Sequence, residues 1–171
     1  MQFVDDPHIA KDAVEERRYQ TNMVEGCVDR NSLLILPTGL GKTIVALRLA
    51  SRFLDRGKIL VLAPTKPLVD QHQQTFGSLM PDAHVTVLNG TVKPVKRTDA
   101  VAENDVIIST PQTVANDLEE GRYDLSRFSL IIFDEAHRGT GNYAYVTVAR
   151  HCSSEIRCVG MTASPGSSIP K

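Results

Sequence analysis

The chain has 171 residues, 42% of them hydrophobic, enough for one substantial core and, by length, for a single domain with at most a short appended arm. With 19 Lys and Arg against 20 Asp and Glu, the formal charge of −1 excludes a global electrostatic pull toward nucleic acid, so any such binding must be local. Cys27, Cys152 and Cys158 form no CxxC pair and leave an odd thiol, which argues against a disulfide scaffold or a zinc site; no run approaches the length of a membrane span, and a soluble cytoplasmic protein is expected.

Residues 1–28 read as an N-terminal arm, helical over 15–28. Apolar runs of strand length follow at 32–37, 58–64, 84–89, 105–110, 130–133 and 157–161. Most are continuous rather than alternating, the pattern of strands covered on both faces. Helical spacing fills most of the gaps, at 43–54, 68–79, 112–118 and 143–151. The alternation predicts an α/β domain with a central, mostly parallel sheet and helices on both faces. Residues 90–104, with Lys93, Lys96 and Arg97, are expected as a loop or a short surface helix of solvated charge.

Two junctions carry chemistry. After the first strand comes Pro37-Thr38-Gly39-Leu40-Gly41-Lys42-Thr43 and then a helical run. Backbone N–H groups of such a turn, with the positive end of the helix dipole, can surround phosphate oxygens where glycines keep side chains out of the way. Lys42 can then neutralise the outer phosphates and the Thr43 hydroxyl can bind Mg²⁺. Leu36 stands where the strict P-loop pattern has its first glycine. At the second junction Leu130-Ile131-Ile132-Phe133 runs into Asp134-Glu135-Ala136-His137. In an extended strand the two acids point in opposite directions, Asp134 toward a metal and Glu135 toward an attacking water. Alone, such a pair reads as a strand entering solvent; beside a lysine P-loop the catalytic reading is favoured. Lys42 and the two acids are expected to converge at neighbouring strand ends.

Pro37 to Thr43, Asp134-Glu135-Ala136-His137 and Thr162-Ala163-Ser164 resemble motifs I, II and III of superfamily 2 helicases, in order. Arg17-Arg18-Tyr19-Gln20 resembles the upstream glutamine motif, Ala63-Pro64-Thr65-Lys66-Pro67-Leu68 motif Ia, and Ser109-Thr110-Pro111-Gln112-Thr113 motif Ib. The runs from Asp134 to Tyr145 and from Met161 to Ser167 are most similar to the Hef and FANCM branch of DEAH-box type, which remodels forked and branched DNA.

The resemblance implies a RecA-like first motor domain over 1–171, the second motor domain being absent, so that the chain alone should turn ATP over slowly without that domain's arginine finger. It implies ATP and Mg²⁺ as cofactors, a cradle of Pro37, Thr38, Gly39, Leu40, Gly41, Lys42 and Thr43, adenine recognition by Gln20 with Arg17 near the base, and catalysis by Lys42, Asp134, Glu135 and His137. Thr65, Lys66, Pro67, Thr110 and Pro111 would hold a DNA backbone at two helix starts, although both read equally as ordinary caps. His137 would face Thr162 and Ser164 as a relay between sites. The partners implied are forked or branched DNA and the second motor domain, with no membrane, and the location is cytoplasmic or nucleoid-associated. A duplex-RNA-dependent ATPase of the RIG-I and Dicer type, a nucleotide-dependent binding module and an unrelated P-loop transporter or kinase are the alternatives. Glu135 speaks against a pure binding module, which needs no water-activating carboxylate.

Overall fold

A computed structural model describes residues 1–36, 41–136 and 143–163. The strands are β1 (Ser32–Leu36), β2 (Lys58–Leu62), β3 (Val85–Val87), β4 (Val106–Ser109), β5 (Phe128–Phe133) and β6 (Arg157–Ala163). The helices are α1 (Arg18–Val28), α2 (Lys42–Phe53), α3 (Lys66–Leu79), α4 (Pro94–Glu103), α5 (Pro111–Glu119) and α6 (Tyr143–Arg150). One sheet of order β1-β6-β5-β2-β4-β3 holds all six strands, every pairing parallel. Parallel neighbours need long crossovers, and the helices supply them.

Successive side chains of a strand face opposite sides, and here they divide two apolar layers. Ile59, Val61, Val106, Ile108, Leu130 and Ile132 pack with α1, α2 and α3. Leu60, Leu62, Ile107 and Ile131 pack with Val101 of α4, Val114 and Leu118 of α5, and Val148 of α6. Each fully buried Leu or Ile contributes about 1.5–3 kcal/mol relative to exposure, so the double layer is the main source of stability.

β1 departs from the expected cover on both faces. It is an edge strand whose burial alternates, leaving Leu33 61% and Ile35 53% exposed. The arm also starts differently. Phe3 and Glu15 form an antiparallel bridge, Val4, Ile9 and Val14 bury in the core, and α1 begins only at Arg18. His8 ties the arm down through Asp55 at 2.9 Å and Asp82 at 3.1 Å.

The stretch 90–104 does hold a short helix with Lys93 and Lys96 exposed, but Arg97 is buried and is not part of that solvated charge. Pro94 opens α4 in the first turn, where a missing N–H costs nothing, and Arg97 is 6% exposed. Its guanidinium forks onto Asp117 of α5, at 3.0 Å from Nε to Oδ2 and 2.7 Å from Nη2 to Oδ1. Arg122 (2.7 Å) and the Tyr123 hydroxyl (3.0 Å) donate to the same carboxylate. A planar fork on two oxygens is what makes burial of this charge tolerable.

Candidate functional site

α2 starts at the end of β1, and its N-cap Gly41 has φ +82°. A side chain there would be strained, and a Cβ would lie 2.5 Å from Gln20 Nε2 and 2.6 Å from the Tyr19 hydroxyl. The glutamine-bearing turn of α1 therefore sits directly against the start of α2. Gln20 is 3% exposed; its Nε2 donates to Tyr19 Oη at 3.4 Å, while its Oε1 is buried with no partner among the described residues. Arg17 is exposed and pairs with Glu15 at 3.3 Å. Pro37, Thr38, Gly39 and Leu40 lie outside the described residues. Thr43 is half-buried in the first turn of α2.

Lys42, the first residue of α2, reaches across the carboxyl edge of the sheet to both acids. Its Nζ is 3.0 Å from Asp134 Oδ1 and 2.5 Å from Glu135 Oε2. The strand ends involved are not neighbours, because β6 lies between β1 and β5. The length of the lysine spans the gap. Nor do the two acids diverge. β5 ends at Phe133, and Glu135 adopts φ +55°, a left-handed turn that brings both carboxylates to one ammonium. The turn is fixed by Glu135 N–H donating to Asp134 Oδ1 at 2.8 Å and by the Tyr145 hydroxyl donating to the Asp134 carbonyl at 2.6 Å. A non-glycine residue held left-handed stores on the order of 1–3 kcal/mol, and such positions cluster at functional sites.

The electrostatics are those of a charged cluster in a dry place. Asp134 is fully buried, which by itself would raise its pKa, but the hydrogen bond from His72, the His72 charge interaction and then Lys42 hold it below the usual carboxylate range. Burial likewise works against the Lys42 ammonium, yet the Glu135 hydrogen bond and the Asp134 charge keep its pKa above the ordinary value.

His72 is the residue that the sequence reading missed. It lies buried on α3, and its Nε2 is 2.7 Å from Asp134 Oδ2. The available signal was spacing, since Val69, His72 and Phe76 form the buried stripe of α3 and only one of them is polar.

The same sheet edge carries the two helix starts read as backbone contacts. Thr65 caps α3, its Oγ1 accepting from Leu68 N–H at 3.5 Å, and Pro67 lies in the first turn. Thr110 precedes α5 and Pro111 starts it, with no side-chain cap. The two starts open on one cleft of about 220 Å³, lined in part by Lys66, Asp70, Thr110 and Thr113. Asn89 and Gly90, after β3, complete it and were not anticipated. The exposed Lys66 is paired with Asp70 at 3.1 Å. Thr162 lies in β6, 8% exposed, whereas His137 and Ser164 lie outside the described residues, so their relay is not described. Among the described residues no group of three metal-ligating side chains occurs. Mg²⁺ bound with a nucleotide needs only one or two carboxylates beside the phosphates, which Asp134 can supply. No described helix is long and apolar enough to cross a membrane.

Residues 13–167 match the family described as type III restriction enzyme, res subunit. Over 173 residues, 99% of this chain, it is 36% identical to a Methanocaldococcus jannaschii protein provisionally named an ATP-dependent RNA helicase, of which it covers 22%. It is 42% identical over 162 residues to the ATP-dependent DNA helicase mph1 of Sclerotinia sclerotiorum, covering 90% of this chain and 13% of that protein. The crystal structure of the Pyrococcus furiosus Hef helicase domain superposes with a TM-score of 0.85 at 46% identity, covering 95% of this chain and 36% of that one. The chain thus spans less than a quarter of these two relatives and about a third of the Hef chain.

Proposed function

Because the chain belongs to the family of the type III restriction enzyme res subunit, among superfamily 2 helicases of the Hef and Mph1 type, we propose that it is the ATP-binding motor domain of a DNA helicase or translocase acting on forked or branched DNA. The observation that carries this reading is the meeting of Lys42 with Asp134 and Glu135, at 3.0 and 2.5 Å, at the carboxyl edge of a parallel sheet. Ligands of open α/β sheets bind at that edge.

The residues fit Mg²⁺ and ATP on three counts. Gly41 leaves the start of α2 free of side chain, so its N–H groups can meet phosphate. The buried acceptor Gln20 Oε1 suits an amino donor of adenine, with Arg17 beside the base. Lys42, Thr43, Asp134 and Glu135 form a set of hard oxygen donors and one cation, as a metal triphosphate requires. When bound, Mg²⁺ neutralises charge on the phosphates and polarises the transferring group. Asp134 and the Thr43 hydroxyl would hold it, and the Lys42 ammonium would face the outer phosphates. Glu135 orients the attacking water and takes its proton. His137, Thr162 and Ser164 link this site to the rest of the motor.

The starts of α3 and α5, through Thr65, Lys66, Pro67, Thr110 and Pro111, take successive backbone phosphates of the tracked strand, which reads no sequence. Residues 1–171 act as motor domain 1, with 1–28 as the arm carrying the glutamine motif, and a second motor domain of the parent chain supplies the closing half and its arginine. The name of the M. jannaschii relative favours an RNA-dependent ATPase as a second reading. One experiment separates the two: ATP hydrolysis by the chain joined to its second motor domain, alone, with forked DNA and with duplex RNA. Forked DNA is expected to stimulate, and Glu135→Gln to lower the stimulated rate by about 100-fold or more. A rate insensitive to both DNA and the substitution would overturn the motor reading, and stimulation by RNA alone would replace it with the second.

A further inference from the structure

His72 is a costly residue where it stands. α3 buries Val69, His72 and Phe76 on one stripe, and the ring of Phe76 meets that of His72 edge-on at 6.2 Å. A leucine would fill this position without a polar atom. Instead the imidazole puts Nδ1 in the core with no hydrogen-bond partner among the described residues. A buried unsatisfied polar atom costs about 1–3 kcal/mol, so packing does not account for it.

The other ring nitrogen explains the choice. Nε2 lies 2.7 Å from Asp134 Oδ2, whereas Asp134 Oδ1 accepts from Lys42 at 3.0 Å and from the Glu135 N–H at 2.8 Å. One oxygen of the carboxylate is tethered from behind, and the other faces the charged cluster. A carboxylate oxygen only accepts, so Nε2 carries the hydrogen and donates it to Asp134. The helix that carries His72 also matters. Lys66, the first residue of that helix, lines the cleft shared with Thr110, and His72, six residues further on, lies about 9 Å along the helix. One rigid rod thus has its start in one candidate site and touches the metal-side carboxylate of the other.

We propose that His72 is a positioning residue that tethers Asp134 Oδ2 so that Oδ1 faces the metal, and that through α3 it makes metal and nucleotide binding respond to a nucleic-acid backbone held at the start of that helix. The proposal rests on the nucleotide reading given above and adds a residue and a coupling to it. Groups that support a metal ligand from behind contribute about 10- to 100-fold in metal affinity.

The test measures affinity for a fluorescent ATP analogue, with Mg²⁺ titrated and with EDTA, in the presence and absence of forked DNA. It compares the unsubstituted chain with His72→Leu, which packs without a donor, and His72→Gln, which keeps one. Thermal unfolding checks that each variant is folded. The leucine variant is expected to need about tenfold more Mg²⁺ or beyond, to bind the analogue in EDTA as the unsubstituted chain does, and to lose the change in affinity that DNA induces. The glutamine variant should stay within about threefold on each measure, since its amide can still donate to Asp134. Should the leucine variant not fold, His72→Asn, whose amide is too short for the 2.7 Å contact, takes its place with the same expectation. Unchanged Mg²⁺ dependence in the donor-less variant overturns the proposal. So does equal loss in the glutamine variant, or a DNA response that survives without the donor. An unsubstituted chain that shows no Mg²⁺-dependent nucleotide binding would fail the nucleotide reading itself, a result distinct from these.

Discussion

Gly41 is the residue whose backbone conformation most constrains the start of α2. Its φ of +82° and the 2.5 Å approach of the Gln20 amide mean that Gly41→Ala must strain the backbone and displace the ends of the Gln20 and Tyr19 side chains. The strain costs about 1–2 kcal/mol, and chemical denaturation should register a loss of that size together with weakened nucleotide binding. A variant as stable as the parent, with unchanged binding, would contradict the described turn. The need for glycine here was legible in the sequence because a phosphate cradle requires it. The paired use of Asp134 and Glu135 was legible only in part. Strand alternation would separate their side chains, but Glu135 has already left β5 and turned left-handed, and no residue in the sequence marks that turn as glycine would. His72 was not legible, since a histidine within an apolar stripe looks the same whether its partner is water, backbone or a carboxylate three strands' worth of chain away.

At the scale of elements, the contact between α4 and α5 decides how residues 90–104 fold. Charge counted along the chain suggested solvated side chains, yet Arg97 is 6% exposed because Asp117 waits on the buried stripe of α5. A partner 20 residues away is invisible to local pattern. Asp117 has its pKa held below the ordinary carboxylate value; burial opposes this, and the hydrogen bonds from Arg97, Arg122 and Tyr123 overcome it. A folded-state pKa below the unfolded one means that the contribution to stability is present above the unfolded value, about 3.9, and is lost as pH falls through the lower folded value. Asp117→Asn, which leaves Arg97 buried without its counter-charge, is expected to destabilise by roughly 3 kcal/mol at pH 7. The difference between variant and parent should shrink below about pH 4, as followed by urea unfolding at several pH values. A penalty that stays constant down to pH 2 would show that the carboxylate charge is not what the brace depends on.

The whole molecule is organised by one edge of one sheet. All six strands run parallel, so the ends of β1, β2, β4, β5 and β6 open the same way, and the loops behind them gather the lysine, the two acids and the two helix starts. Six strands and most of the helices could be placed from apolar runs and turns, because continuous runs of β-branched residues mark buried parallel strands. Strand order could not, since β6 inserts between β1 and β5 through contacts that no local pattern encodes. The exposed β1 face escaped for the same reason, as an edge strand is defined by its neighbours rather than by its residues.

The proposed motor function requires Lys42, Asp134 and Glu135 to form one site for a metal-bound triphosphate. Its most direct test is binding of a fluorescent ATP analogue to the chain, with and without Mg²⁺, compared with Lys42→Ala. Saturable binding strengthened by Mg²⁺ is predicted, with at least about a 100-fold loss on removing the ammonium, as befits a desolvated charge pair worth several kcal/mol. Binding that neither Mg²⁺ nor Lys42→Ala alters would contradict the account.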